Sequence, residues 1–178
     1  MKVFREGSFD YAFHASWEVL KWDDTAFHKE RFQSFGGSSK AAEFVAFDPE
    51  KDTLWLIECK DFRPSGRSKT VDLCDEIAQK FRSTLAGLVC ARNTDVNDEE
   101  KRFARAGLKK TAIRCVVHWE HPHQPHRLWP AENMDRSRMR DKLRQRLAVA
   151  DGQAELGNYQ QLSAVVPWTI SPKNFNNP

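Results

Sequence analysis

An α/β fold, with a mixed central sheet flanked by helices, is what the sequence predicts, and three observations predict it. Two apolar runs, 42–47 and 53–60, flank the polar turn Asp48-Pro49-Glu50-Lys51-Asp52. From Val71 to Ala91, the residues Cys74, Ile77, Ala78, Phe81, Leu85, Leu88 and Val89 recur at helical spacing. A further apolar run, Ala112-Ile113-Arg114-Cys115-Val116-Val117, follows that helix. Strands that alternate with a long amphipathic helix belong to a sheet covered by helices.

In chain order, Phe9 to Phe13 and Trp17 to Trp22 read as short strands, or as a strand and a turn. Asp23-Asp24-Thr25 reads as a helix start, because a short side-chain oxygen can accept a bond from an orphan backbone N–H. That helix runs through Phe27 to about Phe32 and ends in the loop Gly36-Gly37-Ser38-Ser39. The runs around Asp48–Asp52 form a β-hairpin. Its second strand is apolar on both parities, Leu54 and Leu56 against Trp55, Ile57 and Cys59, as expected of a strand covered on both faces. Arg63 to Thr70 is a polar loop, Asn93 to Glu100 an acidic loop entering a helix that ends near Leu108, and Thr111 to Trp119 a strand. A His/Pro loop leads to a basic helix over 134–150. Residues 163–170 read as a final edge strand, where Pro167 is tolerated, and 171–178 as a flexible tail.

The 178 residues suit a single domain, here 1–170. Twelve Phe and six Trp argue against disorder. Mean hydropathy is −0.68, and no apolar run nears the ~18 residues of a membrane span. Met1-Lys2-Val3-Phe4-Arg5-Glu6 carries no apolar stretch after its basic residue, unlike a secretory leader. Cys59, Cys74, Cys90 and Cys115 include no Cys-x-x-Cys pair, so reduced thiols in a cytoplasmic protein are expected. A net charge of +3 permits a nucleic-acid partner without demanding one. Neither a Gly-x-Gly-x-x-Gly or Walker loop nor a Gly-x-Ser-x-Gly elbow is present in the sequence.

The hairpin carries the chemistry. Glu58 and Lys60 leave one face of their strand, following Leu54 and Leu56. If Phe47 pairs with Leu54, then Val45 pairs with Leu56 and Glu43 faces Glu58. Carboxylates ~5 Å apart repel unless one is protonated or a cation lies between them. A divalent ion held by oxygens would resolve the conflict. Lys60, one step on, would place positive charge where a phosphate gains negative charge.

The segments Glu43-Phe44-Val45-Ala46-Phe47 and Leu54-Trp55-Leu56-Ile57-Glu58-Cys59-Lys60-Asp61 resemble the PD-(D/E)XK, or restriction-endonuclease-like, nucleases. That resemblance implies an α-β-β-β-α-β core over roughly 16–120 and Mg²⁺- or Mn²⁺-dependent hydrolysis of DNA phosphodiesters. It implies Glu43, Glu58 and Lys60 as catalytic residues. Glu43, Glu58, the peptide carbonyl of Cys59 and an acid on the first helix would be metal ligands; Asp23, Asp24 and Glu30 are the candidates for that acid, with Asp23 favoured. The sequence departs from the family in having Glu43 where Asp is usual and Ala42 where Pro is usual. Catalytically silent members exist, so the alternative is a nuclease-fold protein that binds nucleic acid or a protein partner. A homodimer is one open arrangement.

Nucleic-acid contacts are expected from Lys80 and Arg82 on the long helix. Others are expected from Arg136, Arg140 and Arg144, one of two basic stripes at four-residue spacing on the basic helix. Glu120 with His118, His121, His123 and His126 forms a dense run that could capture zinc, although its prolines oppose convergence.

Overall fold

The computed structural model describes residues 1–64, 71–95, 97–121 and 135–173. Among these, eight strands form two sheets. β1 (Lys2–Glu6) and β2 (Phe9–Phe13) make a hairpin, and β8 (Thr169–Pro172) pairs antiparallel with β2. Gly7, at φ 53°, takes the left-handed conformation that the tight β1–β2 turn requires. The larger sheet has the order β3-β4-β5-β6-β7, with β3 at Glu18–Lys21, β4 at Phe44–Phe47, β5 at Thr53–Asp61, β6 at Ala112–Glu120 and β7 at Glu155–Gly157. β3, β4 and β5 are antiparallel neighbours; β5, β6 and β7 run parallel. The sheet is therefore mixed, and β5 is its middle strand.

Four α-helices accompany the sheets among the described residues: α1 (Leu73–Ala91), α2 (Asp98–Gly107), α3 (Arg136–Asp151) and the single turn α4 (Tyr159–Leu162). Asp72 caps α1 by accepting from Cys74 N and Asp75 N. Asn97 and Asp135 cap α2 and α3 in the same way.

The alternation of β5 divides the core. Leu54 and Leu56 join Val45, Phe47, Cys115 and Val117 against α1, α2 and α3. Ile57 joins Phe44, Ala46 and Val116 against Phe9, Tyr11 and Phe13 of the small sheet. Helices thus cover one face, while the small sheet and α4 cover the other.

Two sequence expectations change. The first helix is short and irregular: a 3-10 turn at Trp22–Asp24 precedes a π-helical turn at His28–Phe32. Thr25 accepts from His28 N, so within the expected start Asp23-Asp24-Thr25 it is Thr25 that supplies a local side-chain cap. The final strand runs Thr169–Pro172, so it starts later than Ser163, takes in Ser171 and Pro172 of the expected tail by pairing them with Asp10 and Phe9, and joins the small sheet. Asn158 and Gln161 form a reciprocal capping box that opens α4, and the chain continues into turns through Val166. The 63–70 loop beyond Pro64, His123, His126, the start of the basic helix at Met134 and the tail from Asn174 lie outside the described residues.

Candidate active site

β4 and β5 pair in the register Phe47↔Leu54, Val45↔Leu56 and Phe44↔Ile57. One step beyond that ladder, Glu43 and Glu58 stand opposite each other. A cation does lie between them, and it belongs to the protein. Lys80 Nζ, from α1, is 2.6 Å from Glu58 Oε1 and 3.1 Å from Glu43 Oε1. Lys60 Nζ approaches the same Glu58 oxygen at 2.6 Å and lies 3.9 Å from Glu76 Oε1. Lys80 is 8% exposed, so it is a buried cation and not part of a solvated helix face.

Neighbouring groups hold this arrangement. Thr84, one turn after Lys80, donates to the Lys80 carbonyl and accepts from Ala42 N at 2.8 Å. The residue before Glu43 is thereby tied to α1. Trp22 N donates to the Glu43 carbonyl at 2.9 Å, which brings Asp23 against the Glu43 carboxylate. Glu100 of α2 accepts from Ala26 N and Phe27 N, both at 2.9 Å, and anchors the irregular segment after Asp23. Glu76, Thr84 and Glu100 escaped the sequence reading, because on a helix they read as ordinary polar positions.

The electrostatics are acid-rich. Burial and the neighbouring Glu43 push the Asp23 carboxyl up to about 7. Glu58 is fully buried, which raises its pKa against the pull of Lys80 and Lys60. Burial would lower the Lys80 pKa, but Glu58 and Glu43 more than reverse this, so Lys80 stays charged. Glu58 Oε2 and Asp23 Oδ1 are buried without a hydrogen-bond partner. Asp23, Glu43 and Glu58 together set three carboxyls against two ammoniums. The oxygen donors and the unmatched acid suit a divalent cation. Among the described residues, however, no three His, Cys, Asp or Glu side chains are grouped as a ready cage. A groove of about 410 Å³ opens beside Asp23, Lys60 and Lys80.

Cys59 turns its thiol to the opposite face, 3.8 Å from His118 Nδ1, leaving only its backbone between Glu58 and Lys60. His118 is wholly buried on that face, with Tyr11 Oη 2.5 Å from Nδ1 and Glu120 Oε1 3.0 Å from Nε2. His121 instead lies 3.3 Å from Arg136, so the described histidines do not converge.

The basic helix is largely committed to packing. Arg144 bonds Glu155 and the Ala154 carbonyl, while Lys142 and Arg146 pair with Asp72 and Asp75 of the α1 N-terminus. Arg136 donates to Gln161, and Arg140 Nε is buried without a partner. Arg82 is exposed on α1.

No family model matches the chain, and no solved structure matches it. Over 114 residues it is 35% identical to the Cysteine--tRNA ligase of Neisseria meningitidis serogroup A / serotype 4A (strain DSM 15465 / Z2491). The match takes in 60% of this chain and 16% of the ligase. Among the described residues, no helix is long and apolar enough to cross a membrane.

Proposed function

We propose that this chain is a metal-dependent nuclease that hydrolyses DNA phosphodiester bonds, on a restriction-endonuclease-like core. The observation that carries the reading is the meeting of Glu43, Glu58 and Lys60 with Asp23 beside an open groove. The order β3-β4-β5-α1-β6, with the first three strands antiparallel and the last parallel, supports the core assignment.

Asp23, Glu43 and Glu58 would hold Mg²⁺ or Mn²⁺, which supplies Lewis acidity and neutralises phosphate charge. Lys60 borders the groove, where its ammonium can meet the charge that grows on a phosphate oxygen during attack. Lys80 bridges the two glutamates and also lines the groove. The α1 face gives these groups a buried, rigid support.

A second reading has its own support. The Lys80 ammonium occupies the space between Glu43 and Glu58, as suits a catalytically silent fold that only binds nucleic acid or a protein partner. The relative is a tRNA ligase by name, so RNA belongs among the substrates tested.

Supercoiled plasmid and a tRNA transcript are each incubated with the purified chain in Mn²⁺ or EDTA, beside Lys60→Ala. Cleavage that needs Mn²⁺ and falls about a hundredfold in the variant supports the enzyme. Plasmid retarded but intact supports the silent reading, and equal traces in both proteins remove the nuclease reading.

A further inference from the structure

An aromatic stack runs from the core to the surface beside the candidate site. Phe27 and Phe32 lie 5.6 Å apart with ring planes 29° from parallel; Phe32 and Phe35 lie 5.3 Å apart at 21°. The first two rings are buried at 3% and 4% exposure, whereas Phe35 is 60% exposed. One Phe35 face is therefore packed on Phe32 and the other is offered to solvent. A single exposed ring is ordinary in itself, so any reason for this open face must come from its surroundings.

The surroundings supply one. Phe35 lines a groove of about 440 Å³ together with Gln79 and Arg82. This groove shares Ser38, Ser39, Lys40 and Glu76 with the groove that borders Asp23, Lys60 and Lys80. A continuous path therefore leads from the carboxylate cluster to the terminal ring. Lys40 and Arg82 are both exposed along it, and among the described residues neither makes an ion pair. They contrast with Lys142, Arg144 and Arg146, which are all paired. A flat apolar face sharing a groove with unpaired cations matches a chain that alternates planar bases with phosphates.

We propose that this groove binds an unpaired stretch of nucleic acid, stacking one base on the open face of Phe35 and seating phosphates on Lys40 and Arg82. The inference deepens the nuclease reading and rests on it for the polymer's chemistry. A duplex keeps its base faces inside its own stack, so a stacking platform selects an unpaired strand or end.

The test is equilibrium binding of the full chain, in EDTA, to labelled 12-nucleotide probes. These are a DNA strand, the same sequence as RNA, its blunt duplex, and the strand with abasic sites. The single strands should bind more tightly than the duplex or the abasic strand, with the DNA and RNA arms naming the polymer. Phe35→Ala should weaken single-strand binding by about fivefold or more, and Phe35→Trp should retain it. Lys40→Ala and Arg82→Ala should each lower the salt dependence by roughly 0.7 in log–log slope. Equal single-strand affinity in Phe35→Ala and the parent, or a preference for the duplex, overturns the proposal. Phe35-dependent binding without any Mn²⁺-dependent cleavage supports the strand site and removes only the nuclease reading.

Discussion

Lys80 Nζ lies 2.6 Å from Glu58 Oε1, and Glu58 is entirely buried. This contact joins the middle strand of the sheet to the helix that covers it, at the point where β5 passes from apolar packing to charge. A buried ion pair is costly to form and far costlier to half-remove, because the remaining charge then has no compensation.

Lys80→Met leaves Glu58 to Lys60 alone, so it should destabilise the chain in urea unfolding by somewhat less than the roughly 3–5 kcal/mol of a fully unpaired buried charge. Adding Glu58→Met should recover most of that loss, because both buried charges are then gone. No recovery in the double variant would mean that Lys80 acts through packing alone. In the nuclease reading, Mn²⁺ should also raise the melting temperature of Lys80→Met more than that of the parent, by entering the gap between the glutamates.

The Asp23–Glu43 pair predicts a pH dependence in metal-free protein. Asp23 is held at about 7 in the fold, above the value of an unfolded aspartate, so the folded state binds more protons between the two. This contribution is full below about pH 4 and is lost as pH rises through 7. Asp23→Asn should flatten that fall and leave the variant more stable than the parent at pH 8, by about 1 kcal/mol because Asp23 is only half-buried. Unfolding measured in EDTA from pH 4 to 8 checks this; parallel curves would place the shared proton elsewhere.

Glu100 holds two backbone N–H groups that precede the π-helical turn, and it does so from inside the protein. Glu100→Ala should cost about 2–3 kcal/mol, and Glu100→Gln less, since one acceptor oxygen remains. The Phe32–Phe35 stack follows this segment, so single-strand binding should weaken with Glu100→Ala as well. Hydrogen exchange at Ala26 and Phe27 reports the loss directly.

Across the sheet, Glu120 accepts from His118 Nε2, which leaves Nδ1 to accept from the Tyr11 hydroxyl. Tyr11→Phe leaves that nitrogen only the weak Cys59 thiol and should cost about 1–3 kcal/mol in chemical denaturation. In the nuclease reading, cleavage per folded molecule should stay unchanged, because this network faces the small sheet and not the groove.

Much of this was legible from local pattern. The Phe47–Leu54 and Val45–Leu56 register follows from turn position and alternation, and those two signals suffice to set Glu43 opposite Glu58. The α1 stripe and the β6 run are likewise periodic signals. Lys80 was legible as a candidate but not as the cation between the glutamates. It sits next to Phe81 in a stripe that could turn its polar neighbours either way. The basic repeat of α3 is a plain feature of the sequence, yet its charges serve mostly to fasten α3 to α1 and β7, through partners on other elements.

Alternation along β5 determined from the sequence alone which residues share a face, since a strand reverses its side chains at every step. Only the tertiary structure decided what meets that face: the azimuth of α1 that drives Lys80 between two carboxylates, the backbone bond from Trp22 that delivers Asp23, and the small sheet that closes the other side. Those contacts join residues far apart in the chain. They depend on how whole elements pack, which no local period encodes.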